Sequence, residues 1–209
     1  LHRFFDLANA ISLVALLSAA ACCWCSISRV PAFGVVALIV SGLADLLDGQ
    51  VARRLARNDE QRRFGQRVDS LVDVCSFGLA PAALLYAIGL GEPLDLALLG
   101  AFLCCAAWRL AYFDTVGMET EGATRYFTGL PTTYVALVLP LVFLTVFAGK
   151  FWLLASLRVA TFMLAIAMVS PFRCRKPGLI VYAFFLLLAI GVAGVLVWQA
   201  SLIHQRLSV

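Results

Sequence analysis

Seven apolar runs, each close to the length of a membrane-crossing helix, leave this chain little freedom of fold. A helix rises about 1.5 Å per residue, so crossing a hydrocarbon core of about 30 Å takes roughly 20 mostly apolar residues. Runs of that size cover about 8–27, 32–52, 68–90, 94–113, 130–148, 151–170 and 178–203. They use most of the 209 residues, and the remainder is short connections with no room for a separate soluble domain. Lipid offers no partners for backbone N–H and C=O groups, so each run must satisfy its own as a helix. The expected fold is all-α: a polytopic integral membrane helical bundle of about six to seven transmembrane helices, forming a single domain over residues 1–209. Charged residues make up 13% of the chain, against about 25% in soluble domains, which excludes a soluble globule.

Lysine and arginine placement sets the expected orientation. Arg53, Arg54, Arg57, Arg62, Arg63 and Arg67 follow the second run, Arg173, Arg175 and Lys176 follow the sixth, and Arg3 and Arg125 fall on the same side. The opposite side has Arg29, Lys150 and Arg206. This asymmetry predicts a cytoplasmic N-terminus and speaks for a membrane face rather than a nucleic-acid surface. Leu1 to Ala8 mixes Arg3 and Asp6 with Phe4, Phe5 and Leu7, which suits it to lie along the interface. The first apolar run is long enough to span, so no cleavable secretory leader is expected. Cys22, Cys23, Cys25, Cys104 and Cys105 lie inside apolar runs and read as reduced packing residues. Trp24, Trp108, Trp152 and Trp198 read as interface or packing residues.

Four acids enter these helices. Asp45 and Asp48 end the run VVALIVSGLADLLDG, and Asp69 and Asp73 begin the run VDSLVDVCSFGLAPAALLYAIGL. A charge at membrane depth costs several kcal/mol, about 3 at the least, unless it is compensated. The i,i+3 and i,i+4 spacings put each pair on one helical face. Because the two helices are consecutive and antiparallel, both pairs reach one depth near the cytoplasmic face, where their hard oxygens suit one or two divalent cations, Mg2+ or Mn2+. The plainer reading is a solvated helix end paired with the neighbouring arginines. Gly49 after Asp48, and Gly65 four residues before Asp69, favour a site, since a residue without a side chain lets a ligand reach the backbone. Arg53 lies four residues after Gly49 on the same face, where a cation can meet a phosphate.

Asp45, Asp48, Gly49, Ala52, Arg53, Gly65, Asp69 and Asp73 reproduce a pattern, D-x-x-D-G-x-x-A-R, a spacer, then G-x-x-x-D-x-x-x-D, that resembles the signature of the CDP-alcohol phosphatidyltransferase family. The spacer, Arg54 to Phe64, is longer than the family's usual eight or nine residues and reads as a polar loop that tolerates insertion. Within the family, VDSLVDVCSFGLAPA (Val68 to Ala82), RLAYF (Arg109 to Phe113), YFTGLP (Tyr126 to Pro131) and PFRCRKP (Pro171 to Pro177) are similar to the phosphatidylserine synthase branch. Tyr112 departs from it, standing where that branch commonly has arginine.

The resemblance implies transfer of a phosphatidyl group from CDP-diacylglycerol to a small alcohol, L-serine in this branch, with release of CMP. It implies metal ligation by Asp45, Asp48, Asp69 and Asp73, with Asp73 also the general base. Gly49, Ala52, Arg53 and Gly65 would bind the CDP-lipid. For the acceptor, serine's carboxylate and ammonium need fixed partners, and Arg109, Arg125, Thr128 and Thr132 are the candidates; the plainer reading of Arg109 is that it snorkels to the interface. A homodimer among membrane lipid, in a bacterial cell membrane, is the expected setting. Gly129 and Pro131 read as shaping the start of the fifth helix, His204 as solvated, and Arg158 as a structural pairing residue or a sign that a helix end is misdrawn. Two rivals remain at this level: another acceptor, such as inositol phosphate or glycerol phosphate, and an ion or solute transporter. The acids cluster at one face instead of being spread through the bilayer, which disfavours transport.

Overall fold

A computed structural model describes residues 4, 6–116, 119–121, 124–175 and 179–199; for 119–121, 124–128, 173–175, 179–185 and 188 it describes the backbone alone. His204 lies outside the described residues. Seven helices run through the described residues: α1 Leu7–Ile27, α2 Pro31–Ala52, α3 Asp59–Ile88, α4 Pro93–Val116, α5 Thr132–Ala148, α6 Lys150–Val169 and α7 Leu179–Trp198. Five of them, α1 to α4 and α6, are long and apolar enough to cross a membrane, and α5 is a shorter apolar helix. The protein is thus a polytopic helical membrane protein. Three short strands, β1 Glu119–Glu121, β2 Thr124–Thr128 and β3 Arg173–Arg175, form an antiparallel sheet in the connections, with Tyr126 opposite both Glu119 and Arg175.

α1 and α2 approach closely because small residues face one another. Ala8, Ser12, Ala15, Ala19, Cys22 and Ser26, spaced three or four apart, form the buried stripe of α1. Ser41 of α2 donates to the Ala15 carbonyl at 3.0 Å across this contact, the small-residue packing expected where lipid leaves helices no hydrophobic reason to associate. α1 starts at Asp6, whose carboxylate accepts from the Asn9 N–H, and α2 starts with Pro31, preset for a first turn.

The spacer expected to be a loop is mostly helix. Only residues 53–58 turn, and α3 begins at Asp59, behind Asn58 and Gln61, whose side chains cap one another's backbone N–H groups reciprocally. Hydropathy detects lipid contact rather than helicity, so this polar first part of α3 is invisible to a search for apolar runs. Directly after Asp73 the helix widens into a π-helical turn, Val74–Leu79, in which the Ala80 N–H bonds back to Cys75. Phe77, Phe102, Phe143, Leu38, Leu84 and Leu153 fill the centre of the bundle. Its outside is apolar, with all four tryptophans exposed. Cys22, Cys23, Cys25, Cys75, Cys104 and Cys105 are free thiols.

Of the two readings of Arg158, the structure supports pairing. Its guanidinium grips the buried Asp95 of α4 through two bonds, Nε–Oδ1 at 2.7 Å and Nη2–Oδ2 at 2.9 Å, tying α6 to α4.

Candidate active site

The C-terminal part of α2 meets the N-terminal half of α3, and the four aspartates converge there. One carboxylate oxygen from each of Asp45, Asp48 and Asp69 lies within 4.8 Å of the others. These three carboxylates could together hold a divalent cation. Asp73, one helical turn beyond Asp69, is buried, and its Oδ1 has no hydrogen-bond partner. An orphaned buried carboxylate oxygen is costly, and a cation or an incoming hydroxyl would relieve it. The donor set, hard oxygens in a confined cluster, therefore fits a divalent metal of the Mg2+ or Mn2+ class.

Two cavities open on this cluster. One, of about 330 Å³, is lined by all four aspartates, by Arg109, Phe113, Thr132, Thr133 and Tyr134, and by apolar residues that include Ile39, Leu43, Leu46 and Leu137. The other, of about 520 Å³, is more polar and takes in Asn9, Ser12, Ala52, Arg57, Arg62, Gly65 and Gln66. Asp48, Gly49, Arg53 and Asp69 border both, so the carboxylates stand where the two spaces join. The structure thus gathers Gly49, Ala52, Arg53 and Gly65 around the polar cavity.

Gly49 has open space where a Cβ would project. At Gly65 a Cβ would meet Arg57 Nη1 at 2.9 Å and Asn9 Oδ1 at 3.1 Å, so its bare face is filled by the Arg57 guanidinium. Arg57 is itself tied down, its Nε donating to Asp6 Oδ2 at 2.8 Å and its Nη2 to Asn9 Oδ1 at 3.1 Å. This links the start of α1 to the turn between α2 and α3.

Arg109 does not snorkel outward. It is 5% exposed, lines the first cavity, stands 5.6 Å from the centre of the Phe113 ring, and donates from Nε to the Leu130 carbonyl at 3.3 Å. Gly129, with φ +79°, makes that contact possible. A Cβ there would lie 2.6 Å from the Met168 carbonyl oxygen and 3.4 Å from Arg109 Nε. Thr132 is buried on the cavity wall. Arg125 and Thr128 sit on β2, but their side chains lie outside the described residues. Tyr112 is exposed and borders neither cavity.

Sequence reasoning missed two hydroxyls that touch the carboxylates. Ser12 Oγ lies 2.6 Å from Asp48 Oδ2, and Thr133 Oγ1 lies 2.9 Å from Asp45 Oδ2. Their partners are 36 and 88 residues away in the chain, and no local pattern signals either.

A family model, CDP-alcohol phosphatidyltransferase, matches residues 5–172. The chain is 43% identical over 101 residues to the CDP-diacylglycerol–serine O-phosphatidyltransferase of Saccharomyces cerevisiae, covering 46% of this chain and 36% of that protein. It is 35% identical over 116 residues to the archaetidylserine synthase of Methanothermobacter thermautotrophicus, covering 55% and 48%. To the phosphatidylcholine synthase of Agrobacterium fabrum it is 27% identical over 136 residues, covering 64% and 54%. The chain thus spans between about a third and a half of the length of these relatives. With its eight signature residues gathered around two adjoining cavities and the family model running through 168 residues from α1 to the end of α6, the chain belongs to the CDP-alcohol phosphatidyltransferase family.

Proposed function

We propose that this protein transfers the phosphatidyl group of CDP-diacylglycerol to the hydroxyl of L-serine, giving phosphatidylserine and CMP. The observation that carries the reading is the position of the aspartate cluster at the junction of a polar cavity and a partly apolar one that holds a buried arginine. Such a junction suits a donor whose nucleotide, diphosphate and lipid parts need different surroundings. The names of the yeast and archaeal relatives support serine as the acceptor.

Asp45, Asp48, Asp69 and Asp73 would hold the divalent cation. When bound, it neutralises the diphosphate and eases departure of CMP. Gly49, Ala52 and Gly65 line the nucleotide side, where the open face of Gly49 lets the donor approach the backbone and Arg57 covers Gly65. Arg53, bordering both cavities, faces the diphosphate between them and pairs with its oxygens. Arg109, fixed through Nε to Leu130, binds the acceptor carboxylate, and the neighbouring apolar wall excludes bulk water. Asp73 Oδ1, with no donor of its own, accepts the serine hydroxyl proton as the new O–P bond forms and the P–O bond to CMP breaks. A carboxylate is a weak base for an alcohol, so close alignment supplies much of the acceleration. The arginine asymmetry supports a site at the cytoplasmic face, and the assembly proposed is a homodimer.

CMP release from CDP-diacylglycerol, measured with L-serine, glycerol 3-phosphate and inositol 1-phosphate in turn, tests the reading. Release with serine alone among these, abolished by EDTA and restored by Mg2+ or Mn2+, is the expected result. Arg109→Ala should raise the KM for serine by about tenfold or more, the loss of one charge-assisted contact, and leave that for the CDP-lipid within about twofold. Ready release with a phosphorylated alcohol and none with serine would overturn the acceptor and leave the reaction class standing.

A further inference from the structure

We propose that Ser12 and Thr133 are positioning residues that orient Asp48 and Asp45 for cation binding. The inference rests on the reading of the aspartate cluster as a metal centre, and it adds two helices to that centre. Ser12, buried in the small-residue stripe of α1, is 2.6 Å from Asp48 Oδ2 and 3.2 Å from the Ala8 carbonyl. A hydroxyl has one proton to give. The shorter distance is that of a charge-assisted bond, so the proton goes to the carboxylate, and the helix carbonyl is the fallback partner. Thr133, in the 3₁₀ turn that opens α5, does the same for Asp45 Oδ2 at 2.9 Å. Each bond occupies one oxygen of a carboxylate that has two, restricts rotation about its last bond, and leaves the second oxygen for the cluster.

Close helix approaches hold both hydroxyls in place. On one side Ala15 and Ala44 are buried between α1 and α2, and Ser41 bonds to Ala15 one turn further from the cluster than Ser12. On the other, Gly42 of α2 lies so near α5 that an added Cβ would be 2.5 Å from the Ala136 Cβ. Gly42 and Asp45, like Ala136 and Thr133, are three residues apart and share a helical face. The contact without a side chain is therefore one turn from the bond between Thr133 and Asp45 and sets its length.

A hydroxyl that only satisfied a buried carboxylate would contribute to stability and nothing else. Mn2+ binding separates the roles without turnover. The detergent-purified protein is titrated with Mn2+, free ion is read by its electron paramagnetic resonance signal, and unfolding temperature is measured without metal. Ser12→Ala and Thr133→Val should each weaken Mn2+ binding by about tenfold or more, the usual consequence of losing a group that orients a ligand. Ser12→Thr and Thr133→Ser keep the hydroxyl and should stay within about threefold of the parent. Ser12→Cys keeps the size with a poorer donor and should also lose affinity, which serves if Ser12→Ala fails to fold. Parent-like Mn2+ affinity in Ser12→Ala, Ser12→Cys and Thr133→Val, with lowered unfolding temperatures, would overturn the positioning role while the metal centre stood. A parent protein that releases CMP in EDTA and binds no Mn2+ would overturn the metal centre and the positioning role together.

Discussion

Gly42→Ala, at a residue that lines the first cavity together with Ala136, should damage the site without altering any of its polar groups. The added Cβ would fall 2.5 Å from the Ala136 Cβ, whereas carbons in contact stand about 3.5–4.0 Å apart. Both atoms are fixed to helix backbones, so α2 and α5 must separate by about 1 Å. A shift of that size takes the Thr133–Asp45 distance from 2.9 Å to nearly 4 Å, beyond hydrogen-bonding range. Overpacking of this kind costs about 1–3 kcal/mol, which corresponds to a fall in unfolding temperature of roughly 2–10 °C for a chain of this size. Mn2+ affinity should fall as far as in Thr133→Val. The compensating change is specific: with Ala136→Gly the nearest α5 atom becomes the residue 136 Cα, at 3.9 Å from the new Cβ, an ordinary contact. Gly42→Ala/Ala136→Gly should therefore recover Mn2+ affinity, even though the glycine weakens α5 by about 1 kcal/mol. Titration of both variants beside the parent checks this. A double variant as impaired in Mn2+ binding as Gly42→Ala alone would refute the idea that this contact sets the Asp45 geometry.

Four further outcomes are expected. Asp45→Asn, Asp48→Asn and Asp69→Asn should each raise the Mn2+ concentration needed for half-maximal CMP release, while excess Mn2+ should fail to restore Asp73→Asn; its recovery at high metal would reduce Asp73 to a ligand. Asp95→Asn should cost about 1–3 kcal/mol by breaking the two-bond contact with Arg158, with CMP release per folded molecule unchanged, as unfolding and activity measured on one preparation would show. Burial raises the Asp6 pKa, but the hydrogen bond and charge of Arg57 together with the backbone N–H groups of Asn9 and Ala8 outweigh it and hold the carboxyl below its usual 3.8; Asp6 thus adds stability that is complete above about pH 4 and lost as pH falls through its lowered value, so Asp6→Asn should flatten the acid limb of the stability profile. Cysteines introduced near Asn58 should be labelled from the cytoplasmic side in intact cells, and labelling from outside alone would reverse the orientation.

The residues that lie one or two turns apart on a single helix were readable in the sequence. Asp45 with Asp48, and Asp69 with Asp73, share faces because of helical periodicity, and the apolar run between chain turns identifies the helices that carry them. What was not readable depends on how helices register against one another. Asp95 and Arg158 are separated by 63 residues, and Ser12 looks like any small residue of α1 until α2 is laid against it. The sequence points to Thr128 and Thr132, yet Thr133, next to Thr132, reaches Asp45, because one step along a 3₁₀ turn swings a side chain by about 120°. The early start of α3 is of a different kind: Asn58 and Gln61 carry a capping signal at the right spacing, which the pattern of apolar runs does not contain.

The widened turn after Asp73 explains how one helix serves both a polar centre and an apolar core. An α-helix advances about 100° per residue, so a face chosen to aim Asp69 and Asp73 at the cavities fixes the phase of everything after it. The π-helical turn Val74–Leu79 takes up one extra residue and resets that phase by roughly the same angle. Within it Phe77 and beyond it Leu84 and Leu85 are buried in the core, and Gly78 lets α4 approach so closely that a Cβ would be 2.8 Å from Leu103 Cδ1. Before the turn Asp69 and Asp73 face a cavity that α2 and α5 also line, while Ser70 bonds Asp114 of α4 at 2.7 Å. Separating the two phases lets Asp69 and Asp73 face the cavities without rotating Leu84 and Leu85 out of the core.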